Sequence, residues 1–156
     1  MLTVWSVLPT LLGWRTQVVL TGSMRPRIEP GDLVLAAPVR DGDLQPGRIV
    51  LFRDPAHPGR TLVHRLVRFD ADGDMVTKGD ANHNEDSTPA APAAALGMPR
   101  LRVPYIGRPV VWLHEHDLAK LLVTSTLVTV LAAAMIATTP PPTPRVAAHR
   151  HPGGRV

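Results

Sequence analysis

"VVLTGSMRPRIEPGDLVLA", residues 18–36, decides how the rest of the chain is read. An apolar approach runs into Thr21-Gly22-Ser23-Met24, Pro26 follows, and Glu29-Pro30-Gly31-Asp32 opens a new apolar run. Small polar residues with Gly and Pro stop a strand and turn the chain tightly. The stretch therefore reads as strand, knot, strand, with Ser23 in the knot. A serine so placed is either a turn residue or a nucleophile, and the surrounding sequence has to separate the two.

Working outward, the middle of the chain reads as β-structure. "DLVLA" (32–36), "RIVLF" (48–52), "TLVHRLVRF" (61–69) and "DMVTK" (74–78) are short runs rich in β-branched residues, divided by Gly, Pro and Asp. No long amphipathic helix is expected between them. "STPAAPAAALGMP" (87–99) reads as a Pro/Ala-rich loop, and "LRVPYIGRPVVWL" (101–113) as a last strand. There is no internal repeat.

The ends are apolar. "LLVTSTLVTVLAAAMIAT" (121–138) carries no charge and has the length of a membrane span. Lys120 precedes it, and the tail after it is rich in Pro, Gly and Arg with no acid, which the positive-inside rule places in the cytoplasm. "MLTVWSVLPTLLGW" (1–14) is uncharged but short of a full crossing, and it lacks the basic start and cleavage site of a signal peptide. It reads as a membrane helix whose start is misplaced or as a half-inserted anchor. The expected division is an anchor over 1–17, a β-domain over 18–117, a transmembrane helix over 118–139 and a disordered basic tail over 140–156.

The net charge is +4, but the surplus lies outside the middle. Between Thr21 and Asp117, 12 Lys and Arg stand against 13 Asp and Glu, while Arg15, Lys120, Arg145, Arg150 and Arg155 flank the apolar ends. That pattern suits a membrane and argues against nucleic acid as a partner. The chain has no Cys, which excludes a disulfide framework, a thiol nucleophile and a Cys-based zinc site. His57, His83, His114, His116, His149 and His151 form no convincing ligand set, so no metal or organic cofactor is expected.

Within the β-region, Ser23, His64, Lys78, Asp80 and Asp86 are the groups able to do chemistry. Singly each has an ordinary explanation: a turn serine, a packed histidine, a polar loop or a weak calcium loop. A hairpin centred near Asp72 links two of them, because His64 and Asp80 both lie eight residues from that centre, within about two residues of register. A carboxylate beside an imidazole fixes its tautomer, and a serine at the other ring nitrogen becomes a nucleophile.

"TGSMRPRIEPGDLVL" resembles the nucleophile segment of type I signal peptidases, "LVHRLV" their second motif and "TKGDANHNED" their third. "VPYIG" (103–107) is similar to the closing motif of the endoplasmic-reticulum-like branch. The likeness covers roughly residues 15–113, with the motifs in the family's order. It implies a small, partly closed antiparallel β-sheet or barrel and a membrane-bound serine endopeptidase that removes signal peptides from exported preproteins. It implies Ser23 as nucleophile and, because the second motif carries His where the common bacterial enzymes carry Lys, His64 as base. Asp86 is implied as the orienting acid with Asp80 in support, although the hairpin count favours Asp80. Thr21 is implied as an oxyanion donor beside the Ser23 backbone N–H, Met24 as an apolar contact at the membrane side, and Lys78 as a structural or hydrogen-bonding residue. Ala81 departs from the family's "GDNN". The implied partners are preprotein signal peptides, membrane lipid and the secretion translocon. The implied place is a bacterial plasma membrane with the β-domain outside. Rival readings are a self-cleaving repressor, an inactive membrane-anchored binding domain, and a peptidase dedicated to a few pilus or matrix proteins.

Overall fold

The computed structural model describes residues 13–138. The whole of the expected tail (140–156) and residues 1–12 of the expected anchor lie outside these residues.

Six strands form the β-domain: β1 (Arg15–Val18), β2 (Leu33–Ala37), β3 (Ile49–Arg53), β4 (Thr61–Phe69), β5 (Met75–Lys78) and β6 (Ala95–Val103). They build one antiparallel sheet in the order β1-β2-β6-β3-β4-β5, curled into a half-barrel. The expected fold class, mainly β with a partly closed antiparallel sheet, is what the chain adopts. Strand β3 shows why it holds. Ile49 and Leu51 belong to one apolar cluster, with Val19, Met24, Ile28, Val34, Ala36 and Val63. Val50 and Phe52 belong to a second, with Leu66, Met75, Ala90 and Met98. Alternation along a strand sends neighbours to opposite faces, so β3 is covered on both. Val50 and Phe52 are almost completely buried, and each such side chain stabilises the fold by about 1.5–3 kcal/mol.

Three expectations shift. Strand β1 begins at Arg15, so residues 15–17 belong to the sheet and not to the anchor. The loop expected at 87–99 ends early: a short 3-10 turn at Pro92–Ala94 leads into β6, which starts at Ala95. Pro99 is accommodated beside a register shift against β2, where Leu35 pairs Leu101 but Ala36 pairs Pro99; prolines in sheets sit at such irregularities. The last strand expected at 101–113 stops at Val103. Tyr105 turns the chain with a φ of 64°, and helix α1 (Arg108–His114) follows, with Gly107 at its N-cap and Pro109 in its first turn. Proline is preorganised there.

Helix α2 (Leu118–Thr138) belongs, from Ala119 onward, to a unit separate from the β-domain. Its 21 residues are long and apolar enough to cross a membrane. At ~1.5 Å per residue it is about 31 Å long, close to the ~30 Å hydrocarbon core. Three of its hydroxyls bond back to the helix: Ser125 donates to the Leu122 carbonyl at 3.0 Å, Thr129 to the Ser125 carbonyl at 2.8 Å and Thr138 to the Met135 carbonyl at 3.0 Å.

Candidate active site

The knot around Ser23 is held from below by the Gly31-Asp32 pair. The Val19 N–H donates to the Asp32 carbonyl at 2.9 Å, and the Gly31 N–H to the Val19 carbonyl at 2.8 Å. Gly31 has a φ of +91°, and a Cβ there would come within 2.6 Å of the Arg108 side chain; only glycine meets both demands. Asp32 is buried, and its carboxylate accepts from the Glu29 N–H at 2.9 Å, from Arg102 at 3.2 Å and from the Tyr105 N–H at 3.3 Å. The "EPGD" stretch thus ties the serine turn to the "VPYIG" stretch. The Gly107 N–H completes the tie by donating to the Gly31 carbonyl at 2.8 Å.

Ser23 Oγ lies 3.0 Å from His64 Nε2, and His64 Nδ1 lies 2.7 Å from Asp86 Oδ2. The three side chains come from the knot, from β4 and from the loop after β5, at sequence separations of 41 and 22 residues. With Nδ1–H donating to the carboxylate, Nε2 is left to accept from the serine hydroxyl. His64 is buried, with its ring edge-on to Phe52 at 6.5 Å between centroids. Thr77 donates to the same Asp86 oxygen at 2.6 Å, and the Asp86 N–H returns to the Thr77 carbonyl at 2.8 Å. Burial pushes the Asp86 carboxyl up, but the hydrogen bonds from His64 and Thr77, with the His64 charge, outweigh it and hold the group below its ordinary value.

Asp80 does not face His64. It takes the Arg65 guanidinium in a bidentate pair at 2.8 and 2.6 Å, and Arg65 also donates to the Gly47 carbonyl at 2.5 Å. The Asp80 hydrogen bond raises the Arg65 pKa further, against the opposing effect of burial. The hairpin count fails for a local reason. Phe69 pairs Met75 and Arg68 pairs Val76, the register expected for a centre at Asp72, but Leu66 pairs Thr77 and Arg65 pairs Lys78. A bulge at Val67 slips the register by one residue, and a slip of one exchanges the faces of a strand.

The other expected residues are placed as follows. Thr21 Oγ1 is 3.4 Å from Ser23 Oγ. Lys78 Nζ donates to the His83 carbonyl at 3.1 Å, away from the serine–histidine pair. Met24 is only 1% exposed and packs in the core. It therefore does not present an apolar surface as expected; the turn that exposes Ser23 directs its neighbour inward. Pro26 follows a cis peptide bond.

Sequence reasoning missed Thr77, Arg65 and Gly79. The Ala81 N–H donates to the Ser23 carbonyl at 2.8 Å, and a Cβ on Gly79 would come within 2.7 Å of that carbonyl and 2.9 Å of Ser23 Cβ. Gly79 lets the third motif lie directly against the nucleophile turn. The replacement of Asn by Ala at 81 leaves this contact intact, because it is made by the backbone. Arg65 was adjacent to His64 in the second motif, and that adjacency was its one signal.

A groove of about 540 Å³ leads away from Ser23 and His64. Residues 17–21 line one side and residues 59–63 the other. Strand β5 pairs with β4 only from Arg65 onward, so Thr61–His64 carry no strand on that edge among the described residues.

A hydroxyl, an imidazole and a carboxylate hydrogen-bonded in series at the end of an open groove on a β-half-barrel are an arrangement able to activate a serine as a nucleophile. The sequence comparisons narrow the class. The chain is 36% identical over 87 residues to signal peptidase I W of Bacillus subtilis, a match covering 53% of this chain and 45% of that protein. It is 28% identical over 130 residues to the signal peptidase complex catalytic subunit SEC11C of Homo sapiens and of Mus musculus, covering 74% of this chain and 66% of theirs. The chain thus spans about half the length of the first relative and just under two thirds of the others. No family-wide sequence profile matches it. These relatives bear out the resemblance read from the motifs: the chain is type I signal peptidase-like.

Proposed function

We propose that this chain is a serine endopeptidase that removes signal peptides from exported preproteins, with Ser23 as nucleophile and His64 as general base. The observation that carries the reading is the continuous hydrogen-bonded series Ser23–His64–Asp86 at 3.0 and 2.7 Å.

Ser23 Oγ attacks the scissile carbonyl while His64 Nε2 takes its proton. Asp86 holds Nδ1–H, fixes the ring and stabilises the imidazolium that forms. The tetrahedral oxyanion needs donors aimed at its oxygen. The Ser23 N–H makes no backbone hydrogen bond among the described residues, and the Thr21 hydroxyl is close by. His64 then protonates the departing amine, leaving an ester on Ser23. Water, deprotonated by the same imidazole, hydrolyses that ester and frees the serine. Asp80 and Arg65 brace the loop that carries Asp86, and Lys78 braces the same loop through His83.

The substrate is an extended segment following an apolar signal helix, with small residues at −1 and −3 of the cleavage site. The free edge of β4 at 61–64 and the outer edge of β1 give such a segment backbone partners on both sides. Val19, Leu20 and Val63 give it shallow apolar contacts. Helix α2 anchors the chain in a plasma membrane, with the β-domain on the extracytoplasmic side and the basic tail in the cytoplasm. There the enzyme meets lipid and the secretion translocon.

The test is processing of a secreted preprotein by membranes bearing wild type, Ser23→Ala, His64→Ala or His64→Lys. Loss of processing in the two alanine variants, at unchanged protein levels, is expected. Ser23→Ala membranes that process as well as wild type would sink the catalytic reading and favour an inactive binding domain. The lysine variant asks whether the site accepts the other branch's base.

A further inference from the structure

Beside the groove lies a second hollow of about 310 Å³ that the proposed chemistry does not use. It is lined by Arg15, Arg53, Gly59, Arg60, Thr61 and Leu96, and it shares Gly59, Arg60 and Thr61 with the groove. The two therefore adjoin along these residues. Thr61 stands at the junction, where its hydroxyl donates to the Gln17 side-chain oxygen across the groove at 2.7 Å.

Three arginines in one hollow need a reason. Five arginines elsewhere in the domain pair with acids, Arg25 with Glu29, Arg65 with Asp80, Arg68 with Glu85, Arg100 with Asp43 and Arg102 with Asp32, while Arg27, Arg40, Arg48 and Arg108 make no ion pair among the described residues but do not line this hollow. Arg15, Arg53 and Arg60 make no ion pair among the described residues, and all three are exposed. The nearby Asp54 is occupied by His57 at 3.0 Å and by the Ala56 N–H at 2.9 Å. Three like charges left together repel one another, and a bound anion reverses that cost. Planar guanidinium groups suit a carboxylate in particular.

The structure assigns this hollow as an anionic subsite of the groove, which takes an Asp or Glu side chain of the peptide substrate some three to five residues from the scissile bond. The inference rests on the proposed function, in that the groove must hold a peptide. The spacing follows from the fold. From His64 back to Thr61 along β4 is three residues, about 10 Å at ~3.3 Å per residue, and Arg60 and Arg53 lie just beyond. A peptide extended along β4 keeps the same rise, so its third to fifth residue from the cleaved bond reaches the arginines.

The test uses the full chain in uncharged phosphatidylcholine vesicles and a series of quenched fluorescent peptides with one cleavable bond. With the small residues at −1 and −3 kept, a single Asp is walked through the fourth and fifth residues before that bond and the third to fifth after it, each time against Asn. Wild type is expected to cleave the Asp peptide roughly three- to tenfold better at one of these positions, less so at high salt. The ratio should fall to one in Arg53→Gln/Arg60→Gln. In Arg53→Glu/Arg60→Glu it should invert, so that a Lys peptide outperforms Asn. A ratio of one at every position, or the same ratio in wild type and both double variants, overturns the subsite. So does a dependence on anionic lipid in the vesicles without any dependence on peptide charge, which gives the arginines to headgroups. Binding of the same labelled peptides to Ser23→Ala, read by anisotropy, separates the two proposals. A preference for Asp in binding supports the subsite even if wild type cleaves nothing, whereas equal binding of Asp and Asn peptides overturns it.

Discussion

His64 and Arg65 are neighbours on one strand, yet they serve opposite ends. His64 points into the domain, meets Ser23 on one ring nitrogen and Asp86 on the other, and keeps both contacts single. Arg65 points the other way and locks Asp80 with two parallel bonds while holding the Gly47 carbonyl with a third. Both carboxylates come from the same short loop. A bidentate arginine–carboxylate pair gains from rigidity and has no proton to exchange in the working pH range. A histidine–carboxylate pair has one proton to hold and one nitrogen free to take another. One β-strand thus divides a loop's two acids into one that fixes the loop and one that tunes a base, and the Val67 bulge decides which is which.

The largest expected break in this contrast is Asp86→Asn. The amide keeps the shape but presents an N–H or a weaker acceptor to His64, so the ring loses its fixed tautomer and the support for its charge. Cleavage should fall by about 10²–10⁴ in kcat/KM, with the folded state retained. Asp80→Asn should do the converse. Removing the charge from this half-buried arginine pair costs about 1–3 kcal/mol of stability, read by thermal or denaturant unfolding, while the folded fraction keeps its activity within about tenfold. If Asp80→Asn stays folded and loses as much activity as Asp86→Asn, the assignment of the two acids is reversed.

The same two acids show how far the sequence reaches. The hairpin, its centre at Asp72 and the run of β4 over 61–69 were legible from composition and turn residues. The pairing of His64 with Asp86 was legible only through the motif order, because the count along the hairpin points to Asp80. A bulge leaves no mark in "TLVHRLVRF": Val67 is as good a strand residue as its neighbours, and the extra residue is set by packing across the sheet. Strand β6 was misread for a related reason. Its first half looks like a Pro/Ala loop, and its place between β2 and β3 is a long-range choice that local propensity does not encode. The hollow bounded by Arg15, Arg53 and Arg60 is also long-range, since it joins three segments of the chain.

The finest test of the comparison is Thr77→Val, which takes one hydrogen bond from Asp86 and leaves the Asp86–His64 contact in place. Thr77 is buried, and valine fills nearly the same volume. The carboxyl is held below its ordinary value of 3.8 partly by this hydroxyl, so its removal should let the pKa rise. The sign of the stability effect follows. A depressed folded pKa contributes stability that is complete above the unfolded value and is lost as the pH falls from there through the folded value. The wild type should therefore gain over Thr77→Val above the ordinary carboxylate pKa, by about 1 kcal/mol for one hydrogen bond to a carboxylate in a partly exposed setting. The gap should narrow on acidification through the window below 3.8. Unfolding curves at a series of acid pH values measure it. A gap that stays constant with pH would mean that Thr77 acts by packing alone, and that His64 by itself holds Asp86 in its ionised form. In Asp80→Asn the same acid series should leave the Thr77→Val gap unchanged, because Asp80 answers to Arg65 on the other face of the strand.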